Sequence, residues 1–287
     1  MPGRQEGTAS PANILRGNDV LQNGTERLGK ADVDTGERIS SLDRGLEILL
    51  LLGSEGREMG VTEIARALGV WKSTVHRTLT TLVARGFVQK ENGDRYYLGV
   101  KLFTLGMRWR ERAGLVPLAR PVMEKLARQV GETVHLAVLD ADPRAQHSVV
   151  VVDKVESDHV LGVTPRVGFG SAAHCSGVGK ALLAFSPPGV VMALLQARGL
   201  PRRTPHTITD EETLREELAL IRERGYAIDN EEMEVGLSCV AAPVFDAHHR
   251  VLAAVSVSGP AVRMAGCFPQ LAEAVREAAA QISSRLG

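Results

Sequence analysis

Cysteine is scarce. The 287 residues hold three, Cys175, Cys239 and Cys267, far apart and with no C-x-x-C pair. So odd and sparse a set excludes a disulfide framework and fits a reducing cytoplasm. Long apolar runs are missing too: LEILLLL at 46–52 falls far short of the ~20 residues a membrane helix needs. Residues 1–36 contain no continuous apolar stretch and no signal-peptide core, and 1–38 is expected to be a disordered tail. Net charge is also absent, with 34 Lys+Arg against 34 Asp+Glu. Taken alone, that balance speaks against a polyanionic partner. It hides an asymmetry, because residues 37–112 carry 13 Lys+Arg and 9 Asp+Glu, whereas residues 113–287 carry 17 and 20. The basic excess lies where an electrostatic footprint for nucleic acid would be needed. What is present otherwise, 44% hydrophobic and 24% charged residues, is an ordinary globular balance, and the length suggests two domains.

Residues 69–86 read GVWKSTVHRTLTTLVARG. Val75, Leu79 and Leu82 stand at i, i+4 and i+7 and form one inward stripe, so the polar side chains between them fall on other faces. The surroundings give this helix a context. SSLDRGLEILLLL at 40–52 predicts a helix capped by Ser40 or Ser41, with Leu42, Leu46, Leu49 and Leu50 at helical spacing. Thr62 is expected to cap a second helix, Glu63 to Leu68, which Gly69 ends. The third helix runs from Lys72 or Ser73 to about Arg85. Two short β-prone runs follow around Asn92-Gly93, a good hairpin turn. Helix, helix, turn, helix, hairpin is the order of a winged helix-turn-helix, expected over 39–100.

A helix of this kind can dock in a major groove about 12 Å wide. Arg77 is the candidate for a bidentate guanine contact. Lys72, Ser73, Thr74 and Thr80 are expected to reach phosphates or single bases, and His76 either. Lys90 and Arg95, on the hairpin, would make wing contacts. A polar helix face alone is usually only a solvated face; here the order of elements and the local charge weigh towards double-stranded DNA. Trp71, in the turn, is expected to pack against the preceding helix. Residues 101–112, KLFTLGMRWRER, read as a linker helix with Leu102, Leu105, Gly106 and Trp109 on one side, an apolar stripe that needs cover from a second copy or the next domain. A dimer would present two recognition helices to two half-sites.

From 113 onward the texture changes. Helices are expected over PLARPVMEKLARQVG, CSGVGKALLAF, PGVVMALLQARG, a segment capped by Thr209 and Glu212, and the closing FPQLAEAVREAAAQISSRL. Strands are expected over ETVHLAVLD, SVVVVDKVES, HVLGV, LSCVAAPVFD and RVLAAVSVSGP, the last two as antiparallel neighbours. This is an α+β pattern with an antiparallel sheet. AHCSGVGKALLAF invites a phosphate-loop reading that fails, because His174 stands where the first glycine belongs and Ala181 where a magnesium-binding hydroxyl belongs. What remains is Ser176 capping a helix whose first N–H groups, at Gly177, Val178 and Gly179, could hold a small carboxylate. A tight packing turn explains the same glycines. In VLAAVSVSG, Leu252, Ala254, Ser256 and Ser258 share one strand face, which suggests that its end borders a small polar cavity. Asp229 could serve a ligand hydroxyl or be a solvated loop acid.

Two other chemistries compete. A hydrolase with Cys239 as nucleophile would need an activating base and an oxyanion site, and no signature of either is present. His135, His147, His159, His174, His248 and His249 suggest a metal, but none stands at ligand spacing, so neither a metal nor another cofactor is expected.

VTEIARALGVWKSTVHRTLTTLVARGFV, HCSGVGKALLA and the block RGYAIDNEEMEVGLSCVAAPVFD with AAVSVSGP resemble, in order and separation, the isocitrate lyase regulator (IclR) family of bacterial transcription factors. The resemblance covers roughly residues 40–287. It implies an N-terminal winged helix-turn-helix, a linker helix over 101–112, and a GAF-like effector domain over 113–287. It implies dimers or tetramers that bind operator DNA and respond to small organic or aromatic acids. By position it places Gly177, Val178, Asp229, Cys239, Ser256 and Ser258 at the effector, with Val160 and Val163 as an apolar wall.

Overall fold

The structure, a computed structural model, describes residues 40–91, 93–112, 114–142, 145, 148–157, 159 and 166–286. The expected tail over 1–38, Asn92, His147, Val160 and Val163 lie outside the described residues, as does all of the HVLGV strand except His159. The chain forms two units that divide after Arg112.

In the first unit, α1 (Ser40–Glu55), β1 (Met59–Gly60), α2 (Val61–Leu68), α3 (Lys72–Ala84), β2 (Val88–Glu91), β3 (Arg95–Leu98) and α4 (Val100–Arg112) follow one another. The three strands pair in the order β1-β3-β2, with Met59 opposite Tyr96 and Val88 opposite Leu98. Ile48, Leu52, Ile64, Val75, Leu79, Val88 and Tyr96 close one small core. Each such burial contributes roughly 1.5–3 kcal/mol. The inward face of α1 is therefore Ile48 and Leu52. Leu42, Leu46 and Leu50, whose spacing marked the helix, point to solvent. Thr62 is not the cap of α2. Gly60 holds that place, and the Glu63 carboxylate turns back to accept the Gly60 N–H at 2.7 Å. Gly69 ends the helix at φ 63°, where a side chain would be strained. The hairpin register pairs Glu91 with Arg95, and Gly93 and Asp94 carry positive φ in the turn.

The second unit is a sheet between two helix layers. Its elements are α5 (Leu115–Val130), β4 (Thr133–Leu139), β5 (Val149–Val155), β6 (Gly170–Ser171), α6 (Gly177–Phe185), α7 (Pro188–Arg198), α8 (Glu211–Arg224), β7 (Ala227–Asn230), β8 (Leu237–Phe245), β9 (Val251–Pro260), α9 (Ala261–Met264) and α10 (Phe268–Leu286). The strands are antiparallel in the order β6-β5-β4-β9-β8-β7. Strand alternation sorts the faces. Val134, Leu136, Val240, Val255 and Val257 pack with Met123 and Leu126 of α5 and Val275 and Ile282 of α10. Ala137, Ala227, Cys239, Ala241 and Ala254 face the other way, with Leu182 of α6 and Leu214 and Ile221 of α8. Asp210, not Thr209, caps α8 by accepting the Thr213 N–H at 2.8 Å. No helix among the described residues is long and apolar enough to cross a membrane.

Candidate functional site

α3 begins without an acidic residue in its first turn, and the Trp71 carbonyl accepts from the amides of Thr74 and Val75. Val75 and Leu79 are buried, which fixes the helix's rotation and leaves Lys72, Ser73, His76, Arg77 and Thr80 exposed, with Thr74 half-buried. The hydroxyls differ in availability. Thr80 Oγ1 donates to the His76 carbonyl at 2.9 Å, and Thr78 donates to Thr74, so Thr80 keeps acceptor capacity only. Lys72 and Arg77 form no ion pair among the described residues. They are the cations of this helix that face solvent uncommitted. Trp71 does not pack on α2 as expected; it is 84% exposed at the entrance to the helix.

The two wing cations are not alike. Lys90 pairs with Asp94 at 2.5 Å on the exposed hairpin and lies over the Tyr96 ring. Arg95 turns inward. Its guanidinium donates to Glu63 Oε2 at 2.5 Å and to the Glu58 carbonyl at 2.5 Å, bracing the hairpin against α2. The same Glu63 accepts from Gly60 and Arg57, and these bonds hold its carboxyl below the usual range.

In the second unit, sheet register assembles what the sequence scatters. Asp229, Cys239, Ser258 and Thr133 lie opposite one another across β7, β8, β9 and β4. One step along the same face, Ala227, Ala241, Ser256 and His135 form a second row. The entrance of α6 sits on this floor. Ser176 accepts the Gly179 N–H at 3.3 Å, and a Cβ added to Gly177 would meet Cys239 Sγ at 2.8 Å and the Ala241 Cβ at 3.6 Å. Gly177, Val178, Asp229, Cys239, Ser256 and Ser258 thus converge on the α6 face of the sheet. Val160 and Val163 lie outside the described residues.

Electrostatics divide this floor. Asp229 stands on a strand, 2% exposed, rather than in a solvated loop. Burial pushes its carboxyl up to about 7, against the opposing pull of the Glu232 and Met233 amides that donate to Oδ1 at 2.8 and 3.3 Å. Burial likewise raises the Cys239 thiol to about 11, partly offset by hydrogen bonds from Ser258 and Ser256, and the Cys175 thiol to about 12. Both thiols are therefore protonated at neutral pH, which removes the nucleophile a cysteine hydrolase requires. Lys180, the residue that suggested a phosphate loop, is 1% exposed and ion-paired with Glu232 and Glu217. No cluster of three or more metal-ligating side chains occurs among the described residues.

His135, which the sequence offers only as one of several scattered histidines, stands on this same floor. It is 3% exposed, and burial pulls its imidazole down to about 4, with Lys154 adding repulsion. Its Nε2 is buried without a hydrogen-bond partner among the described residues. Thr133, His135 and Ala137 alternate onto one face of β4, but no local signal shows that β4 lies beside β9, a pairing across more than a hundred residues.

Comparison with known proteins agrees with both units. Residues 41–92 match the IclR helix-turn-helix domain, and residues 108–284 match the bacterial transcriptional regulator IclR C-terminal domain. The HTH-type transcriptional regulator BhcR of Paracoccus denitrificans is 39% identical over 260 residues, 90% of this chain and 91% of that one. The crystal structure of an IclR-type transcriptional regulator from Alicyclobacillus acidocaldarius aligns with TM-score 0.75 at 30% identity, covering 87% of this chain and all of that one. An IclR homologue from Microbacterium hydrocarbonoxydans, solved in complex with 4-hydroxybenzoate, aligns with TM-score 0.72 at 27% identity, over 86% of this chain and 98% of that one. A helix-turn-helix with an uncommitted cationic face, a sheet-floored polar site beside a glycine-rich helix entrance, and matches spanning both units lead to one conclusion: this chain is a DNA-binding transcriptional regulator of the IclR family.

Proposed function

We propose that α3 reads operator DNA through Arg77, with Lys72, Ser73, Thr74, His76 and Thr80 on phosphates and neighbouring bases, and that Lys90 is the wing contact. Arg95 is left out of this set, because its guanidinium is committed to Glu63 and Glu58. The observation that carries the reading is the solvent-facing Arg77, without an ion pair among the described residues, on a helix whose rotation is fixed by Val75 and Leu79. The test is an operator titration with the promoter upstream of the protein's own gene; an Arg77→Ala chain that retards the fragment as well as the parent would sink it.

The effector is a small organic or aromatic acid held at Gly177 and Val178, with Asp229, Cys239, Ser256 and Ser258 around it and Val160 and Val163 as wall residues. Support comes from the convergence of the described members of that set, from the free amides of a helix N-terminus, and from the 4-hydroxybenzoate bound to the homologue. Binding shifts the population of two arrangements of a dimer or tetramer, only one of which fits the half-site spacing. Exposed Leu42, Leu46 and Leu50 on α1, and Phe103, Leu105 and Trp109 on α4, are the surfaces that self-association would cover. The targets are genes of a catabolic or metabolic operon, and the protein works in the cytoplasm. A thermal-shift screen of carboxylates and aromatic acids identifies the ligand class; hits that ignore Ser258→Ala would move the site elsewhere.

A further inference from the structure

Among the described residues of the second unit, His135 Nε2 and Glu232 Oε2 are buried side-chain atoms without a hydrogen-bond partner, and His135, unlike Glu232, has no ion pair to account for its burial. A buried donor or acceptor without a partner is costly to keep, so such a group points to a ligand that would satisfy it. The position of His135 is specific. The β4–β9 register places it opposite Ser256, and Thr133, its neighbour on the same face, opposite Ser258. It therefore looks onto the floor that Cys239 and Ala241 share with the entrance of α6. That entrance lies over β8, and β4 is two strands away, a separation of about 10 Å. The residues between are small: Ala241 and Ser256 in one row, Cys239 and Ser258 in the other. A three-carbon acid, about 4 Å long, held by its carboxylate at the helix entrance would not reach across.

We propose that His135 is the far anchor of the effector, its Nε2 hydrogen-bonding a keto or hydroxyl oxygen of an acid long enough to cross β8 and β9 from the α6 entrance. This rests on the effector pocket proposed above and narrows its ligand. The effector is an elongated, bifunctional monocarboxylate, with a neutral oxygen about five or six atoms from the carboxylate carbon or on the far side of a ring. The distal group is neutral because the imidazole is: its basicity is depressed by burial and by Lys154, which stands opposite it on β5 and is itself paired with Glu156. An uncharged imidazole offers a hydrogen bond without an ion pair, so a dicarboxylate gains nothing from its second charge at this end.

The experiment is calorimetric titration of the full chain with pyruvate, hexanoate and 5-oxohexanoate, repeated on His135→Phe, His135→Gln and Ser258→Ala. The expected result is at least tenfold tighter binding of 5-oxohexanoate than of hexanoate, with pyruvate weaker than 5-oxohexanoate. His135→Phe should abolish the preference for the keto acid, His135→Gln should keep part of it, and Ser258→Ala should weaken both long acids alike. If pyruvate binds as tightly as 5-oxohexanoate, or the keto preference survives His135→Phe, the pocket stands and the role of His135 falls. If none of the acids binds the parent, the carboxylate pocket falls with it. Should His135→Phe not fold, the imidazole 15N resonances of the parent decide, since an Nε2 shift unmoved by saturating 5-oxohexanoate overturns the contact.

Discussion

A methyl group on Gly177 would lie 2.8 Å from the sulfur of Cys239, so helix entrance and floor strand meet with no side chain between them. The glycine is required by this approach and not by a left-handed backbone, because Gly177 is the first residue of α6, directly after its Ser176 cap. Gly177→Ala must push α6 away from β8 or displace the thiol. Overpacking of this kind costs about 1–3 kcal/mol. The obstacle is the sulfur, so Cys239→Ala in the same chain should return most of the loss. Urea unfolding of the four chains in the cycle measures the coupling; strictly additive effects would mean that the two residues do not constrain each other.

Arg77 and Lys72 share a helix face but should fail differently. A guanidinium that reads a guanine edge gives discrimination of about 1–3 kcal/mol. Arg77→Ala should therefore weaken the operator and leave non-specific DNA nearly unchanged. A lysine on a phosphate contributes without regard to sequence, and its loss lowers the salt slope of log K by about one. Lys72→Ala should weaken both DNAs and flatten the slope. Fluorescence anisotropy across a salt series separates the two; equal loss on both DNAs for Arg77→Ala would move base reading to another residue.

Arg95 should behave as a brace. Its contacts with Glu63 and Glu58 are partly exposed, so they contribute modestly, on the order of 1 kcal/mol. Arg95→Met is expected to lower the stability of the first unit by about that amount while leaving the salt slope of operator binding intact. Lys90→Met should do the reverse. Thermal unfolding and the same anisotropy series test this, and a reduced slope in Arg95→Met would restore it to the DNA contacts.

The contrast between these two cations shows where the sequence stopped being legible. Periodicity is local, so Val75 and Leu79 announced the recognition helix and Ser176 the entrance to α6 before any coordinates. Whether a polar side chain is free or committed depends on a partner distant in sequence. Arg95 looked like a wing contact because nothing near it announced Glu63, and Trp71 looked like a packing residue because tryptophan usually is one. Leu42, Leu46 and Leu50 marked a helix by spacing that fits either face, and only the position of Ile48 and Leu52 against α2 and α3 decided which face is buried. In the second unit the serine parity on β9 was readable. The rows that join it to Asp229 and to His135 were not, because the β7–β8 and β4–β9 pairings are set by packing of the whole sheet.

Asp229 supplies a pH signature with a definite sign. Its carboxyl lies at about 7 in the folded chain and at 3.8 when unperturbed, so the folded state binds the proton more tightly. The stability this confers is fully present below pH 4 and is lost as pH rises through 7. The span of about 3 units corresponds to a loss of roughly 4 kcal/mol at most. Asp229→Asn removes the titration and can still accept the Glu232 amide through its side-chain oxygen. The variant should gain stability relative to the parent between pH 5 and 8, as Glu232 and the ammonium of Lys180 stay in place around it. Binding follows the same logic. An anionic effector beside Asp229 favours the protonated carboxyl, so affinity for a carboxylate such as 4-hydroxybenzoate should fall as pH rises through 7, by up to tenfold per unit. The fall should flatten in Asp229→Asn. Calorimetry at pH 6, 7 and 8 in buffers of differing ionisation enthalpy counts the proton taken up, and uptake unchanged by the substitution would assign the titration to a group other than Asp229.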